Sequence, residues 1–142
     1  MRHFRCCLLL SAIIDAELVA LNAKGIPDFR ALTGGQLHSL VCFCFDIMEL
    51  NGKDLRPLPL VKRCRALEKL LSKAAIPELQ FSTSHDDPDK LLERLDALGM
   101  EGIVSKLKTQ PYLSGKNQAW IKVKCHAWRI ANKERGTLFA KR

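Results

Sequence analysis

The sequence predicts an α+β domain with a mainly antiparallel sheet and two or three helices. Three observations carry that expectation. Short apolar stretches with strand character alternate with two stretches of helical periodicity, in the order β, β, α, β, α, β, β. Turn dipeptides and prolines fall between those stretches rather than inside them. The chain has 142 residues, 47% hydrophobic and 27% charged, which is enough apolar material for one domain with its own core and too much for wholesale disorder.

Residues Ser11 to Leu21 read as the first strand, with Ile13, Ile14, Leu18, Val19 and Leu21 as apolar or β-favouring members. Asn22-Ala23-Lys24-Gly25 is a turn signal, followed by Pro27; Asp28 is placed to cap a helical turn through Leu32, and Gly34-Gly35 to break it. Leu40 to Leu50 is the second strand. Strict alternation puts Val41, Phe43, Phe45 and Ile47 on one face and Cys42, Cys44, Asp46 and Met48 on the other. Asn51-Gly52 is a hairpin dipeptide, and Leu55-Arg56-Pro57-Leu58-Pro59 reads as an extended connector because each proline biases its predecessor away from helix.

Leu60, Cys64, Leu67 and Leu71 recur at helical spacing between Leu60 and Lys73, and Pro77 stops that helix. Leu79 to Ser82 is a short strand. Asp86 or Asp87 caps a second helix with Pro88 in its first turn, Leu91, Leu92, Leu95 and Leu98 as its stripe, and Gly99 at its end. Ile103 to Leu107 and Ala119 to Cys125 are strands around a loop from Thr109 to Gly115. Residues 126–142 carry Arg129, Lys133, Arg135, Lys141 and Arg142 against Glu134 and read as a loosely held basic tail. There is no internal repeat and no low-complexity tract.

The net charge of +8 favours an anionic partner, nucleic acid ahead of a membrane surface, with a solvated Lys/Arg surface as the plain alternative. The six cysteines form no Cys-x-x-Cys pair and lie at no zinc-finger spacing from a histidine, which argues against a zinc site. Scattered thiols fit a reducing cytoplasm better than a disulfide scaffold. Arg2 and Arg5 before the apolar run Cys6 to Ile14 imitate a signal peptide, but Asp15 and Glu17 interrupt it and no small-x-small site follows. No run of eighteen apolar residues exists, which argues against a transmembrane helix, and no membrane partner is expected. Neither a Gly-x-Gly-x-x-Gly nor a Walker-type loop occurs, which argues against Rossmann and P-loop nucleotide binding.

Four clusters could carry chemistry. Asp15-Ala16-Glu17 puts two carboxylates on one strand face; alone it reads as an edge strand with solvated acids. Phe43-Cys44-Phe45-Asp46 alone reads as core. Glu101-Gly102-Ile103-Val104-Ser105-Lys106 delivers a carboxylate at a strand end. In Trp120-Ile121-Lys122-Val123-Lys124, the two ammoniums share a face and repel each other unless an anion sits between them. Two lysines of this kind with a glutamate strand before them suggest an anionic ligand with a metal.

In order, these clusters resemble the motif series of ATP-dependent DNA ligases, within the covalent nucleotidyltransferase superfamily, and most nearly the ligase domain of bacterial end-joining ligases. The resemblance covers Ile13 to Cys125: an Asp-x-Glu strand, Phe45-Asp46-Ile47 with Leu50-Asn51-Gly52-Lys53-Asp54-Leu55 after it, Glu-Gly-x-x-x-Lys at Glu101 to Lys106, and Pro111-Tyr112, Ser114-Gly115-Lys116 and Trp120 to Cys125. It implies a partial nucleotidyltransferase (adenylation) domain over residues 11–125, between a divergent N-terminal segment, 1–10, and the basic tail, 126–142. It also implies ATP, bound through its AMP moiety, with Mg2+ or Mn2+ as cofactors and DNA as partner. By the same resemblance Glu17 would meet the ribose, Phe45 would stack on the adenine, and Glu101 would help hold the metal. Lys122 and Lys124 would contact the α-phosphate, and Lys106 would either touch phosphate or stay solvated.

One motif of the family is not found. No lysine of this sequence is followed by x-Asp-Gly, and no lysine precedes Asp15. The family forms its covalent adenylate on that lysine, so no residue here is a candidate catalytic nucleophile. The expectation is a truncated adenylation domain, without the C-terminal oligonucleotide-binding barrel, that does not self-adenylate alone. A second polypeptide could supply the missing segments. The alternative expectation is a non-catalytic DNA-binding remnant or the product of a decayed ligase gene.

Overall fold

A computed structural model describes residues 11–23, 25–27, 39–115 and 118–132. The helical turn expected at Asp28 to Leu32, the Gly34-Gly35 break and the segment 1–10 lie outside these residues. The chain packs as two compact units, Met1–Thr83 with Lys108–Ser114, and Ser84–Leu107 with Gly115–Arg142. The mixture of helices with a largely antiparallel sheet is as expected, and the described residues form three helices.

In the first unit β1 (Ala12–Leu21) pairs antiparallel with β2 (Ser39–Leu50), and β2 pairs at its end with β3 (Lys53–Asp54). The β2–β3 turn is Asn51-Gly52, with φ of 52° and 80°, the left-handed pair that a two-residue hairpin requires. The connector after β3 is a turn rather than extended chain: the Leu58 N–H donates to the Leu55 carbonyl at 2.9 Å. Helix α1 (Leu60–Ala74) follows and ends where Ala75 turns left-handed, ahead of Pro77. Strand β4 (Leu79–Phe81) then runs parallel to β2 beside Cys42–Cys44.

Alternation along β2 does not hold as the sequence suggested. The pairing with β1 skips a residue twice, at Phe45 and at Met48. Each extra residue exchanges the faces of everything beyond it. Ile47 therefore joins Cys44, Leu55, Leu67 and Leu71 in the buried core, with Ile14, Cys42, Leu50, Leu79 and Phe81 packed around them, instead of sharing a face with Phe43 and Phe45. Burial pushes the Cys44 thiol up, as expected for a small core residue.

In the second unit, the Asp87 side chain caps α2 (Pro88–Ala97) by accepting the Lys90 N–H at 3.1 Å, and Pro88 occupies the first turn. Gly99, at φ 68°, leads the chain out of the helix. The stripe stops short of the expected length, since Leu98 is 57% exposed. Strands β5 (Gly102–Lys106) and β6 (Trp120–Lys124) form an antiparallel pair in which Gly102 faces Lys124, Val104 faces Lys122 and Lys106 faces Trp120.

The start of the expected basic tail is instead helix α3 (His126–Ala131). Asp96 Oδ1 accepts the Ala127 N–H at 2.8 Å, and the Arg129 N–H returns to the Cys125 carbonyl at 3.1 Å. A capping carboxylate contributed by α2 is a tertiary partner that charge counting along 126–142 does not reveal. Among the described residues no helix is long and apolar enough to cross a membrane.

Candidate functional site

Glu101 is the last residue before β5, and its position is set by backbone pairing: the Cys125 N–H donates to its carbonyl at 2.9 Å. Gly102 allows that arrangement. Its φ is 150°, and a Cβ there would lie 2.0 Å from the Val123 carbonyl oxygen. Only glycine lets β6 pass so close. On β6, Lys122 and Lys124 stand two residues apart and so share a face. Both reach Glu101 Oε1, Lys122 Nζ at 2.8 Å and Lys124 Nζ at 3.5 Å. The anion that the two ammoniums required is thus supplied by the chain itself. Hydrogen bonding from Lys122, together with the charges of both lysines, holds the Glu101 carboxyl below its usual range despite some burial.

Two tryptophans flank this cluster. Lys124 Nζ lies 4.1 Å from the centre of the Trp128 ring on α3, and Lys106 Nζ lies 3.9 Å from the centre of the Trp120 ring. Lys106 is therefore not solvated; its ammonium packs on an aromatic face, on the same side of the strand pair as Lys122 and Lys124. Trp128 was missed because it sits in the segment read as a tail. A tryptophan four residues after Lys124, one helical turn further on, was the available signal.

The other expected residues belong to the first unit. Glu17 is exposed on β1 directly opposite Phe43, and Phe45 is half-buried at the first bulge of β2. Asp15 faces Asp46 across the strand pair and accepts the Tyr112 hydroxyl at 3.1 Å. Burial, with the Asp15 carboxylate beside it, pushes the Tyr112 phenol up.

A buried ion pair underlies these strands. Arg63 Nε and Nη2 meet the two Asp46 oxygens, each at 2.8 Å, with the side chains 1% and 0% exposed. Arg63 also donates to the Leu58 and Gln110 carbonyls and lies 5.7 Å from the Tyr112 ring centre. Arg63 is three residues after Leu60 and four before Leu67, on the apolar stripe itself, which was the signal that it is not a solvated charge.

The exposed ammoniums of Lys122 and Lys124 suit a phosphate, each offering three donors. Among the described residues no three His, Cys, Asp or Glu side chains converge into a metal cage. Glu101 as a single carboxylate fits the way Mg2+ is commonly held, by one or two carboxylates plus substrate phosphates and water.

Residues 5–124 match the family of the ATP dependent DNA ligase domain. The match begins at Arg5, ahead of the boundary expected at residue 11. The multifunctional non-homologous end joining protein LigD of Pseudomonas aeruginosa is 38% identical over 117 residues, covering 79% of this chain and 14% of that protein. DNA ligase 4 of Saccharomyces cerevisiae is 34% identical over 117 residues, 79% of this chain and 12% of its own length. This chain thus spans only a small part of these curated relatives. Among solved structures, mycobacterial DNA ligase D complexed with ATP and MES superimposes with a TM-score of 0.67 at 25% identity, covering 80% of this chain and 38% of that one. Matched across most of its length by family and by fold, the chain belongs to the ATP-dependent DNA ligases, as part of their nucleotidyltransferase-like adenylation domain.

Proposed function

We propose that this chain contributes nucleotide-phosphate handling to ATP-dependent DNA joining in repair and recombination, and that alone it does not form the covalent adenylate. The observation that carries the reading is the convergence of Lys122 and Lys124 on one carboxylate at an exposed strand face. ATP, when bound, supplies an electrophilic α-phosphorus and a pyrophosphate leaving group. Lys122 and Lys124 bind the α-phosphate oxygens and offset their charge. Glu101 helps hold Mg2+ or Mn2+ beside the phosphate. In the first unit, Glu17 bonds the ribose and Phe45 stacks on the adenine; the Tyr112–Asp15 bond steadies the strand that bears Glu17.

Covalent capture needs an activated amine, and positioned cations do not replace one. No Lys-x-Asp-Gly occurs in these 142 residues, so the covalent step needs a nucleophile from outside them. DNA is the proposed partner, supported by the charge of +8 and by the relatives' names. A reducing cytoplasm is part of the proposal and rests on the scattered thiols. The basic excess favours the second reading, non-catalytic DNA binding.

The test is incubation with α-labelled ATP and Mg2+ followed by denaturing electrophoresis. No covalent label on this chain is expected, and a labelled band would overturn the proposal. Reversible ATP binding that is weakened roughly tenfold by Lys122→Ala supports the phosphate role. Salt-sensitive binding of nicked duplex with no ATP binding at all would favour the second reading.

A further inference from the structure

We propose that Glu101 is an internal stand-in for a phosphate group, and that nucleotide phosphate and a divalent cation bind this strand pair with positive linkage because each is served by parting Glu101 from Lys122 and Lys124. The inference rests on the phosphate-binding reading and deepens it.

The geometry supports an exchange. One carboxylate oxygen serves both ammoniums, at 2.8 and 3.5 Å, in the position that an anion between two lysines must take. The three side chains are 39% to 52% exposed, so ligand and solvent reach the contact. The Glu101 backbone is tied to Cys125, which leaves the side chain as the moving part. Lys124 keeps a partner when the carboxylate leaves, because its ammonium also lies 4.1 Å from the centre of the Trp128 ring.

The charges then dictate the linkage. A phosphate that displaces Glu101 brings more charge and more acceptors to the lysines, but it leaves a carboxylate facing it. A divalent cation that captures Glu101 leaves two ammoniums facing it and each other. Bound together, each ligand neutralises what the other exposes, so each tightens the other by the same factor.

AMP titrated calorimetrically, in EDTA and in Mg2+, tests this on wild type and Glu101→Gln, with Mg2+–AMP association in solution measured separately. Wild-type affinity for AMP should rise with Mg2+. In EDTA the Glu101→Gln chain should bind AMP roughly two- to fivefold more tightly than wild type, and Mg2+ should no longer change its affinity. A residue that served only as a metal ligand would leave the EDTA affinity unchanged, and that result overturns the proposal; weaker binding in EDTA does the same. If the variant fails to fold, wild type alone decides: Mg2+ affinity must shift on adding AMP by the factor seen in the reverse titration, and no shift overturns the idea. AMP binding that depends on Lys122 and Lys124 yet ignores Glu101 sinks this inference and leaves the phosphate reading standing. No AMP binding under any condition sinks both.

Discussion

Each unit of this molecule contains a carboxylate held by a cation at 2.8 Å, and the two contacts do opposite work. Asp46 and Arg63 are at most 1% exposed, while Glu101 and Lys122 are 40% and 52% exposed. In the first unit both carboxylate oxygens are matched by a guanidinium fork, and Arg63 spends further donors on the Leu58 and Gln110 carbonyls. Burial keeps ligand and solvent from this pair, and parting it would strand a charge in the core. In the second unit one oxygen is shared by two ammoniums at the surface, where water and a stronger anion can take its place. Contact distance therefore says little about purpose. Burial and the number of remaining partners decide whether an ion pair is a strut or an exchangeable site.

The largest test of this contrast is Arg63→Met. It leaves Asp46 buried and unpaired and should cost about 3–5 kcal/mol, measured by urea unfolding followed by circular dichroism. Adding Asp46→Leu should restore much of that loss. A single variant within 1 kcal/mol of wild type, a marker value for an exposed pair, would remove the distinction between the two contacts.

Gly102→Ala comes next. The added Cβ meets the Val123 carbonyl at 2.0 Å in a backbone conformation that side chains avoid. It should destabilise the β5–β6 pair by about 2–3 kcal/mol and speed amide exchange there, with β1 and β2 unchanged. Exchange that stays slow in β5 and β6 would mean that the lysines do not depend on this close strand approach.

The smallest effect belongs to the exposed pair. Lys122→Ala should change stability by less than about 1 kcal/mol while weakening phosphate binding. Acidification gives the same reading. Because Lys122 holds the Glu101 carboxyl below its ordinary 4.5, the pair's contribution is present above that value and fades as pH falls through the lower folded value. Its loss should scarcely move the unfolding midpoint. A large shift traced to Glu101 would make this contact structural and undo the comparison.

Much of the fold was legible from local signals. Asn51-Gly52 announced its turn because only residues tolerant of positive φ fit there, and Asp87-Pro88 announced α2 because a cap and a fixed φ suit a first helical turn. The motif order from Asp15 to Lys124 was enough to indicate the ligase family, which the family and structural matches bear out. The faces of β2 were not legible, because a bulge depends on which residue of the partner strand each position meets. Nor was α3, whose N-terminal partner Asp96 comes from another helix.

By itself, then, the sequence determined the class of fold, the family, and the presence of one carboxylate and two lysines where alternation puts the lysines on a common face. Tertiary structure decided what those charges do. It buried Arg63 on Asp46 and turned that pair into scaffold, set Lys106 on Trp120, and brought Glu101 between Lys122 and Lys124 at the surface. The physical reason is that the cost or availability of a charge depends on its surroundings in space, and residues 46 and 63, or 101 and 122, become neighbours only when the chain is folded.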